Sequence, residues 1–264
     1  MQQQIAERGR KRLVFYFTAT GNSLYVVRRF SDVPISIAQV LKGNELTFEA
    51  DEIGFVFPDY HAMAPEIVKR FVQRGTFKAP YIFSVITYGK FECNVVDRWI
   101  RFAARYNLRF DYIATVLMVD NYLPAFDVEE EKLIDKGTDT RLEQVARDIS
   151  KHKLYIPFLS DEELEHRQRV LEQFPELFPV RSEDLLVITD RCVSCGLCSQ
   201  VCPRGNFHLV DSGAQNEGDC EYCLACAHAC PQKAIVLKDG EKNREARYRH
   251  PAVSIREIIE ANKQ

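Results

Sequence analysis

The sequence contains no hydrophobic run long enough to cross a lipid bilayer. Its longest apolar runs, Leu13–Phe17 and Ile113–Val119, have the length of strands, whereas a membrane-spanning helix needs about 20 apolar residues. The first residues, MQQQIAERGRKRL, lack the apolar core of a signal peptide. We therefore expect a cytoplasmic protein without a membrane partner.

The chain also lacks a strong excess of charge of either sign. Its 264 residues contain 35 lysines and arginines against 38 aspartates and glutamates, a net charge of −3, so no field that would attract a polyanion is expected. No nucleic-acid partner is predicted. No G-x-G-x-x-G follows an apolar strand, so direct binding of NAD(P)H is not expected either.

Cysteine, in contrast, is frequent and regularly spaced. Residues 192–203 read CVSCGLCSQVCP and residues 220–231 read CEYCLACAHACP, so the pattern C-x2-C-x2-C-x3-C-P occurs twice. Proline at the end of each run cannot continue a helix. The ninth cysteine, Cys93, lies outside both runs.

This spacing is typical of two [4Fe-4S] clusters, because thiolates bind soft metals and the fourth cysteine of each run ligates the other cluster. The rule assigns four ligands to the first cluster: Cys192, Cys195, Cys198 and Cys230. It assigns four to the second: Cys220, Cys223, Cys226 and Cys202.

Zinc and disulfide bonds are the alternatives for so many cysteines. Zinc ribbons use C-x2-C pairs but need neither the third cysteine nor the following C-P, and disulfide frameworks belong to small secreted domains. Both are less favoured here. Residues 183–238 resemble the bacterial two-cluster ferredoxin domain, which implies single-electron chemistry.

The first two-thirds of the chain alternates strand-like and helix-like segments. The predicted strands are Arg12–Phe17, Val33–Val40, Ile53–Pro58, Tyr81–Thr87 and Tyr112–Val119. The predicted helices between them are Asn22–Phe30, Pro65–Arg74 and Glu92–Tyr106, and residues 129–153 and 161–173 are also helical in pattern. Such alternation predicts an α/β fold, a doubly wound parallel five-stranded sheet with ligands at the carboxyl ends of its strands.

A loop rich in hydroxyl groups follows the first strand and has the sequence Thr18-Ala19-Thr20-Gly21-Asn22-Ser23. Backbone N–H groups at a helix start favour a phosphate. The loop carries no lysine or arginine, unlike a Walker loop, which suits a phosphate that is held and not cleaved. An ordinary polar helix cap at Thr20 or Ser23 is the alternative.

The loop resembles the flavodoxin phosphate-binding motif T/S-x-T-G-N-T, with Ser23 in the last position. The resemblance implies that Thr18, Thr20, Gly21, Asn22 and Ser23 bind the phosphate of FMN. It also implies that the loops after the third and fourth strands hold the flavin ring. The candidates there are Tyr60, Tyr88 and Gly89.

The domains are predicted as a flavodoxin-like FMN-binding domain (12–173), a linker (174–183), a small α+β two-cluster ferredoxin domain (184–240) and a basic C-terminal tail (241–264), expected to be solvated. Together they resemble the flavodoxin–ferredoxin fusion proteins. That resemblance implies an electron carrier that relays single electrons between two [4Fe-4S] clusters and FMN, and onward to a redox partner such as a ferredoxin or reductase. Two alternatives remain open. One is an oxidoreductase in which FMN reduces a quinone, nitro compound or oxygen; the other is a sensor or interaction subunit with structural clusters.

Overall fold

The computed structural model describes residues 10–172, 180–211 and 213–264. Its N-terminal part begins with a parallel α/β arrangement. The strands of this part are β1 (Arg12–Tyr16), β2 (Ile35–Ser36), β3 (Thr47–Glu49), β4 (Glu52–Pro58), β5 (Thr76–Lys78), β6 (Tyr81–Tyr88) and β7 (Tyr112–Leu117). The helices are α1 (Asn22–Val27), α2 (Ile37–Val40), α3 (Glu66–Arg74), α4 (Val95–Ala104), α5 (Val128–Glu131), α6 (Thr138–Ser150) and α7 (Asp161–Leu171).

Five of these strands form one sheet in the order β2-β1-β4-β6-β7. Every pairing in it is parallel, and the register of the central pair aligns Tyr16 with Val56. Counted along the sheet alone, this is the order 2-1-3-4-5, which defines the flavodoxin-like doubly wound fold. The predicted fold class is therefore confirmed. The neighbouring strands β1 and β4 end at the edge where such a sheet accepts ligands.

The strand residues alternate between two apolar cores, one on each face of the sheet. Tyr16, Val56 and Val85 pack with α1 and α6 on one face. Phe15 and Phe55 pack with α3 and α4 on the other. The strands read as nearly continuous apolar runs because both faces of a parallel sheet are covered.

The prediction of a strand over Val33–Val40 is wrong for most of its length. Only Ile35–Ser36 pair with β1, and the chain then turns into α2, whose N-terminus is capped by the Ser36 hydroxyl accepting from the Gln39 N–H at 3.3 Å. A capping serine overrides the strand preference of the neighbouring isoleucines and valines. The small parallel pair β3-β5 was not predicted.

The C-terminal part consists of short elements around the cysteine runs. Its strands are β8 (Val180–Arg181), β9 (Leu186–Ile188), β10 (Phe207–Val210), β11 (Gly213–Asn216), β12 (Asp219–Cys220) and β13 (Ile235–Leu237). Its helices are α8 (Ser182–Leu185), α9 (Leu197–Val201), α10 (Ala225–Ala229) and α11 (Ile255–Asn262). Within the described ranges, every helix is too short or too polar to span a membrane.

Three antiparallel strand pairs organise this part, namely β8-β12, β9-β13 and β10-β11. Most of the predicted linker lies outside the described residues. Its last residues, 180–183, form β8 and the start of α8, and β8 pairs with the strand that carries Cys220. The predicted domain boundaries stay predictions.

The predicted solvated tail is instead packed over most of its length, from residue 246 onward. We call residues 246–264 the C-terminal segment. Ala246, Tyr248, Val253 and Ile258 are buried in it, and α11 joins the apolar core on one face of the sheet. The sequence does not predict this packing, because the apolar residues of the segment are scattered between basic ones.

Candidate functional site

The two cysteine runs follow the same backbone path. Two positions in each run and one just after it have positive φ, at the same distances from the first cysteine: Ser194 and Tyr222 (both 54°), Gly196 (74°) and Leu224 (56°), Gly205 (69°) and Lys233 (50°). Each run then forms a five-residue helix, α9 or α10, that carries its third cysteine. Residues other than glycine rarely adopt this conformation. Its repetition at matching positions therefore indicates that the two loops enclose binding sites of the same shape.

One cavity is lined by four cysteines. They are Cys192, Cys195 and Cys198 from the first run and Cys230 from the second. We call this the outer cavity.

A second cavity is lined by the other four cysteines. They are Cys220, Cys223 and Cys226 from the second run and Cys202 from the first. We call this the inner cavity. The structure thus groups the eight cysteines in the two sets that the spacing predicts, although the ligand assignment itself stays a prediction.

The chemistry of these eight side chains fits a soft metal cluster. Burial raises the pKa of Cys198 and of Cys220 to about 11, so their sulfurs keep their protons unless a metal replaces them. Backbone N–H groups already point at three of the sulfurs. Asn206 N–H donates to Cys202 Sγ at 3.4 Å, Tyr222 N–H to Cys220 Sγ at 3.3 Å, and Ala234 N–H to Cys230 Sγ at 3.2 Å.

The cavities differ in their access to solvent. At the outer cavity Cys195 is exposed, and Val193 beside it is 59% exposed. Leu209 is also about half exposed, and its Cδ1 would lie 3.2 Å from a Cβ at Gly196. The outer cavity therefore has an apolar, accessible rim.

The inner cavity instead faces the sheet. Cys223 packs against the apolar cores of both sheet faces, which places it at an end of the sheet. Glu221 is buried and accepts a hydrogen bond from the Ile67 N–H, at the start of α3, at 2.9 Å. Burial raises the pKa of Glu221 to about 7, and the Arg204 guanidinium lies 3.7 Å from its carboxylate.

Aromatic and imidazole groups complete this junction. The Tyr122 and Tyr222 hydroxyls are 3.0 Å apart, and the His61 ring stacks on Tyr222 with centroids 6.0 Å apart. His228 Nε2 is 2.9 Å from the Asn121 carbonyl oxygen, to which it donates, while its Nδ1 accepts from the Tyr248 N–H at 3.1 Å. These contacts join the second cysteine run to the loops that follow the strands.

The predicted phosphate loop does lie between β1 and α1, but its side chains are buried and engaged. Thr18 Oγ1 accepts from the Gly21 N–H at 3.1 Å, Thr20 Oγ1 accepts from the Asn121 amide at 2.9 Å, and Ser23 Oγ is 2.9 Å from Thr87 Oγ1. The Asn22 amide donates to the Val119 carbonyl at 3.1 Å.

The C-terminal segment covers this loop. The Tyr248 hydroxyl donates to Asn22 Oδ1 at 2.8 Å, and the His250 N–H donates to the Thr20 carbonyl at 2.8 Å. The Asn262 amide donates to the Thr18 carbonyl at 2.9 Å. A Cβ at Gly21 would lie 3.0 Å from the Cβ atoms of both His250 and Val253. As placed, these residues do not fit the phosphate of FMN, because protein atoms occupy the approach to the loop.

The predicted ring-binding residues lie at the same end of the neighbouring strands β4 and β6. The Tyr60 ring lies edge-on to that of Phe17, with ring centroids 6.4 Å apart. Tyr60 also packs, with Cys223, against the apolar core on one face of the sheet. Tyr88 ends β6 and is partly buried. Gly89 allows a close approach of Asp120, whose Oδ2 would lie 2.1 Å from a Cβ there. Their role in holding a flavin stays a prediction.

Sequence reasoning missed the residues that join the two parts. The strongest available signal was Glu221, a carboxylate within a cysteine run where Val193 stands in the other copy. Tyr248 and Asn262 gave no signal, because their partners lie more than 200 residues away in the chain.

Known proteins resemble the cysteine-rich part. The family described as the 4Fe-4S binding domain matches residues 185–207. An uncharacterized ferredoxin of Methanocaldococcus jannaschii is 35% identical over 60 residues, which cover 21% of this chain and 78% of that protein. A ferredoxin-like protein from the nif region of Trichormus variabilis is 38% identical over 47 residues, or 17% of this chain and 40% of that protein.

Four-cysteine cavities together with this match define the class as an iron–sulfur protein with a 4Fe-4S binding domain. Through its C-terminal part, the chain belongs to the ferredoxins. It spans less than half of the Trichormus protein.

A solved structure with a weak likeness to part of this chain is that of a candidate flavoprotein from Bacteroides uniformis. It is 16% identical with a TM-score of 0.31, covering 47% of this chain and 97% of that one. A likeness this low carries no argument about fold or ligand, and the flavodoxin-like assignment rests on the strand order.

Proposed function

We propose that the protein is an electron carrier that holds two [4Fe-4S] clusters and exchanges single electrons with other redox proteins. The observation that supports this most is the grouping of the eight cysteines. Each cavity is lined by three cysteines of one run and the fourth of the other, the arrangement expected of a two-cluster ferredoxin.

The chain's own groups provide the binding and set the environment of each cluster. Four cysteine sulfurs would hold each one, and a bound cluster supplies the ability to take up or release one electron. The N–H groups of Asn206, Tyr222 and Ala234 stabilise negative charge on three of the sulfurs, and such bonds, with burial, tune the reduction potential.

The outer cavity is more accessible to solvent than the inner one, which favours it as the place where electrons are exchanged with a partner protein. Cys195 is exposed there between two exposed apolar side chains, Val193 and Leu209. An apolar rim lets a partner exclude water at the point of closest approach. We propose a ferredoxin or a ferredoxin-dependent reductase as that partner.

The flavin-linked versions of this function are the relay to FMN and the FMN-dependent reductase of a small acceptor. Their support is the sequence of the Thr18–Ser23 loop and its place after β1, in the fusion arrangement. The packing of the C-terminal segment on that loop opposes them. No step of the proposal passes through FMN.

Anaerobic reductive titration tests the carrier proposal. Stepwise addition of dithionite should bleach the visible absorption with one electron taken up per cluster, and reoxidation should restore it without a change in circular dichroism. Cys195→Ser should take up half as many electrons. Clusters that are present but cannot be reversibly reduced would reject the carrier and favour the structural role.

A further inference from the structure

The edge at which a flavodoxin-like sheet accepts a ligand is the crevice beside the carboxyl ends of its strands, at the point where the strand order reverses. In this sheet the reversal lies between β1 and β4. The loops that leave those strands contain Thr18–Ser23 and Tyr60. Both loops are in contact with the C-terminal part of the same chain.

The loop after β1 is held by the C-terminal segment through buried polar groups. Asn262 is fully buried, and its amide donates to the Thr18 carbonyl, while Tyr248 is 4% exposed and donates to Asn22. Val253 and Ile258 join the apolar core beneath. A phosphate could reach the loop only if all these contacts were broken.

Two further strands, β4 and β7, are followed by segments that contact the second cysteine run. Glu221 accepts the Ile67 N–H, at the start of the helix that follows β4, and His228 contacts the Asn121 carbonyl after β7. Cys223 packs against both faces of the sheet end. Three of the five sheet strands are thus followed by loops that contact the C-terminal part.

We infer that the sheet holds the ferredoxin-like part in the place where this fold takes a flavin, so that the full-length protein binds no FMN. The flavodoxin-like part then acts as a scaffold that buries the inner cavity and presents the outer one. The fold of a flavin carrier is retained, and its ligand edge has become an intramolecular docking surface.

Two measurements on the full-length protein test this inference. The first is FMN binding, by flavin count after anaerobic purification and by fluorescence titration with added FMN. The second is amide hydrogen exchange of residues 18–23 and 246–253. The wild type should contain no flavin, leave FMN fluorescence unquenched, and protect both segments.

Paired variants show whether the described contacts give that protection. Asn262→Ala combined with Tyr248→Phe removes the two side-chain hydrogen bonds from the C-terminal segment to the loop, and exchange of residues 18–23 should become on the order of tenfold faster. Glu260→Ala is the matched control on the exposed side of α11, where Glu260 is 61% exposed. It should exchange like the wild type.

Stoichiometric FMN in the wild type, or a loop that exchanges freely, would overturn the inference. So would a double variant that exchanges no faster than Glu260→Ala while circular dichroism shows it folded. Iron and sulfide counted on the same sample report on the carrier proposal independently, since a flavin-free protein without clusters would sink that proposal and not this one.

Discussion

Val193 and Glu221 occupy the same position in the two cysteine runs, directly after the first cysteine. Val193 is 59% exposed and Glu221 is 2% exposed. The backbone around them is nearly the same, with positive φ at matching positions. One local structure therefore serves at the protein surface in the first run and at a junction between two parts in the second.

The cysteine spacing therefore fixes the conformation of the binding loop but not the surroundings of that loop. Four residues after the first cysteine, the first run has Gly196 and the second has Leu224, both with positive φ. Leucine is strained in that conformation, but its side chain is 5% exposed within the apolar core of the C-terminal part. In the second run the burial of the Leu224 side chain offsets the backbone strain, whereas Gly196 in the first run adopts the same conformation without strain.

The largest effects, on iron content and on melting temperature, should come from replacing one cysteine of each set. Cys195→Ser and Cys223→Ser should each lower the iron content from about eight atoms per chain toward four. Cys223→Ser should also lower the melting temperature by on the order of 10 °C more, because an empty inner cavity leaves a void at the junction. Metal analysis and thermal unfolding under anaerobic conditions measure both. Equal melting temperatures would remove the distinction between inner and outer sites.

Glu221→Ala should be the next largest change. It removes the buried acceptor of the Ile67 N–H and the carboxyl group beside the Arg204 guanidinium, at a cost of about 2–3 kcal/mol. Val193→Ala, the matched control in the first run, should stay within about 0.5 kcal/mol of the wild type. Denaturant unfolding gives both values. Similar losses in the two variants would show that their surroundings do not differ as described.

A smaller effect is expected where the C-terminal segment meets the loop after β1. Tyr248→Phe leaves Asn22 Oδ1 without its donor in a buried site and should cost about 1–2 kcal/mol. Tyr25→Phe, which removes an exposed hydroxyl bonded to Asp139, is the control and should cost about 0.5 kcal/mol or less. A Tyr248→Phe protein as stable as this control would argue against the contact.

The smallest effect concerns pH. Burial lowers the pKa of His250 below its ordinary 6.5, with Asp139 opposing and Arg28 adding to the shift. The neutral ring is therefore favoured in the folded protein, and its contribution is complete above pH 6.5 and declines as the pH falls below it. The protection of residues 246–253 against hydrogen exchange, corrected for the fall of the intrinsic exchange rate with pH, should decrease on acidification through this range. His250→Gln should weaken that dependence; an unchanged profile in the variant would assign it to another group.

The sequence allowed the cysteine grouping and the sheet to be predicted because both depend on local spacing. The two C-P runs specify loops of defined shape. Strands such as Glu52–Pro58 can be predicted because they are short apolar runs between turns. The helix at Ile37–Val40 was missed because the Ser36 side chain, and not the apolar pattern, decides the conformation there.

The covering of the ligand edge could not be predicted in this way. It depends on pairs such as Asn262 with Thr18 and Glu221 with Ile67, which are distant in the chain and belong to different parts. The loop Thr18–Ser23 has the composition of a phosphate site, and composition alone does not reveal that another segment of the same chain uses its hydrogen-bonding groups.

The decisive measurement is a count of iron and acid-labile sulfide in the anaerobically purified protein. We expect about eight of each per chain, held by the two sets of four cysteines. A colourless protein that contains zinc and no sulfide would contradict it.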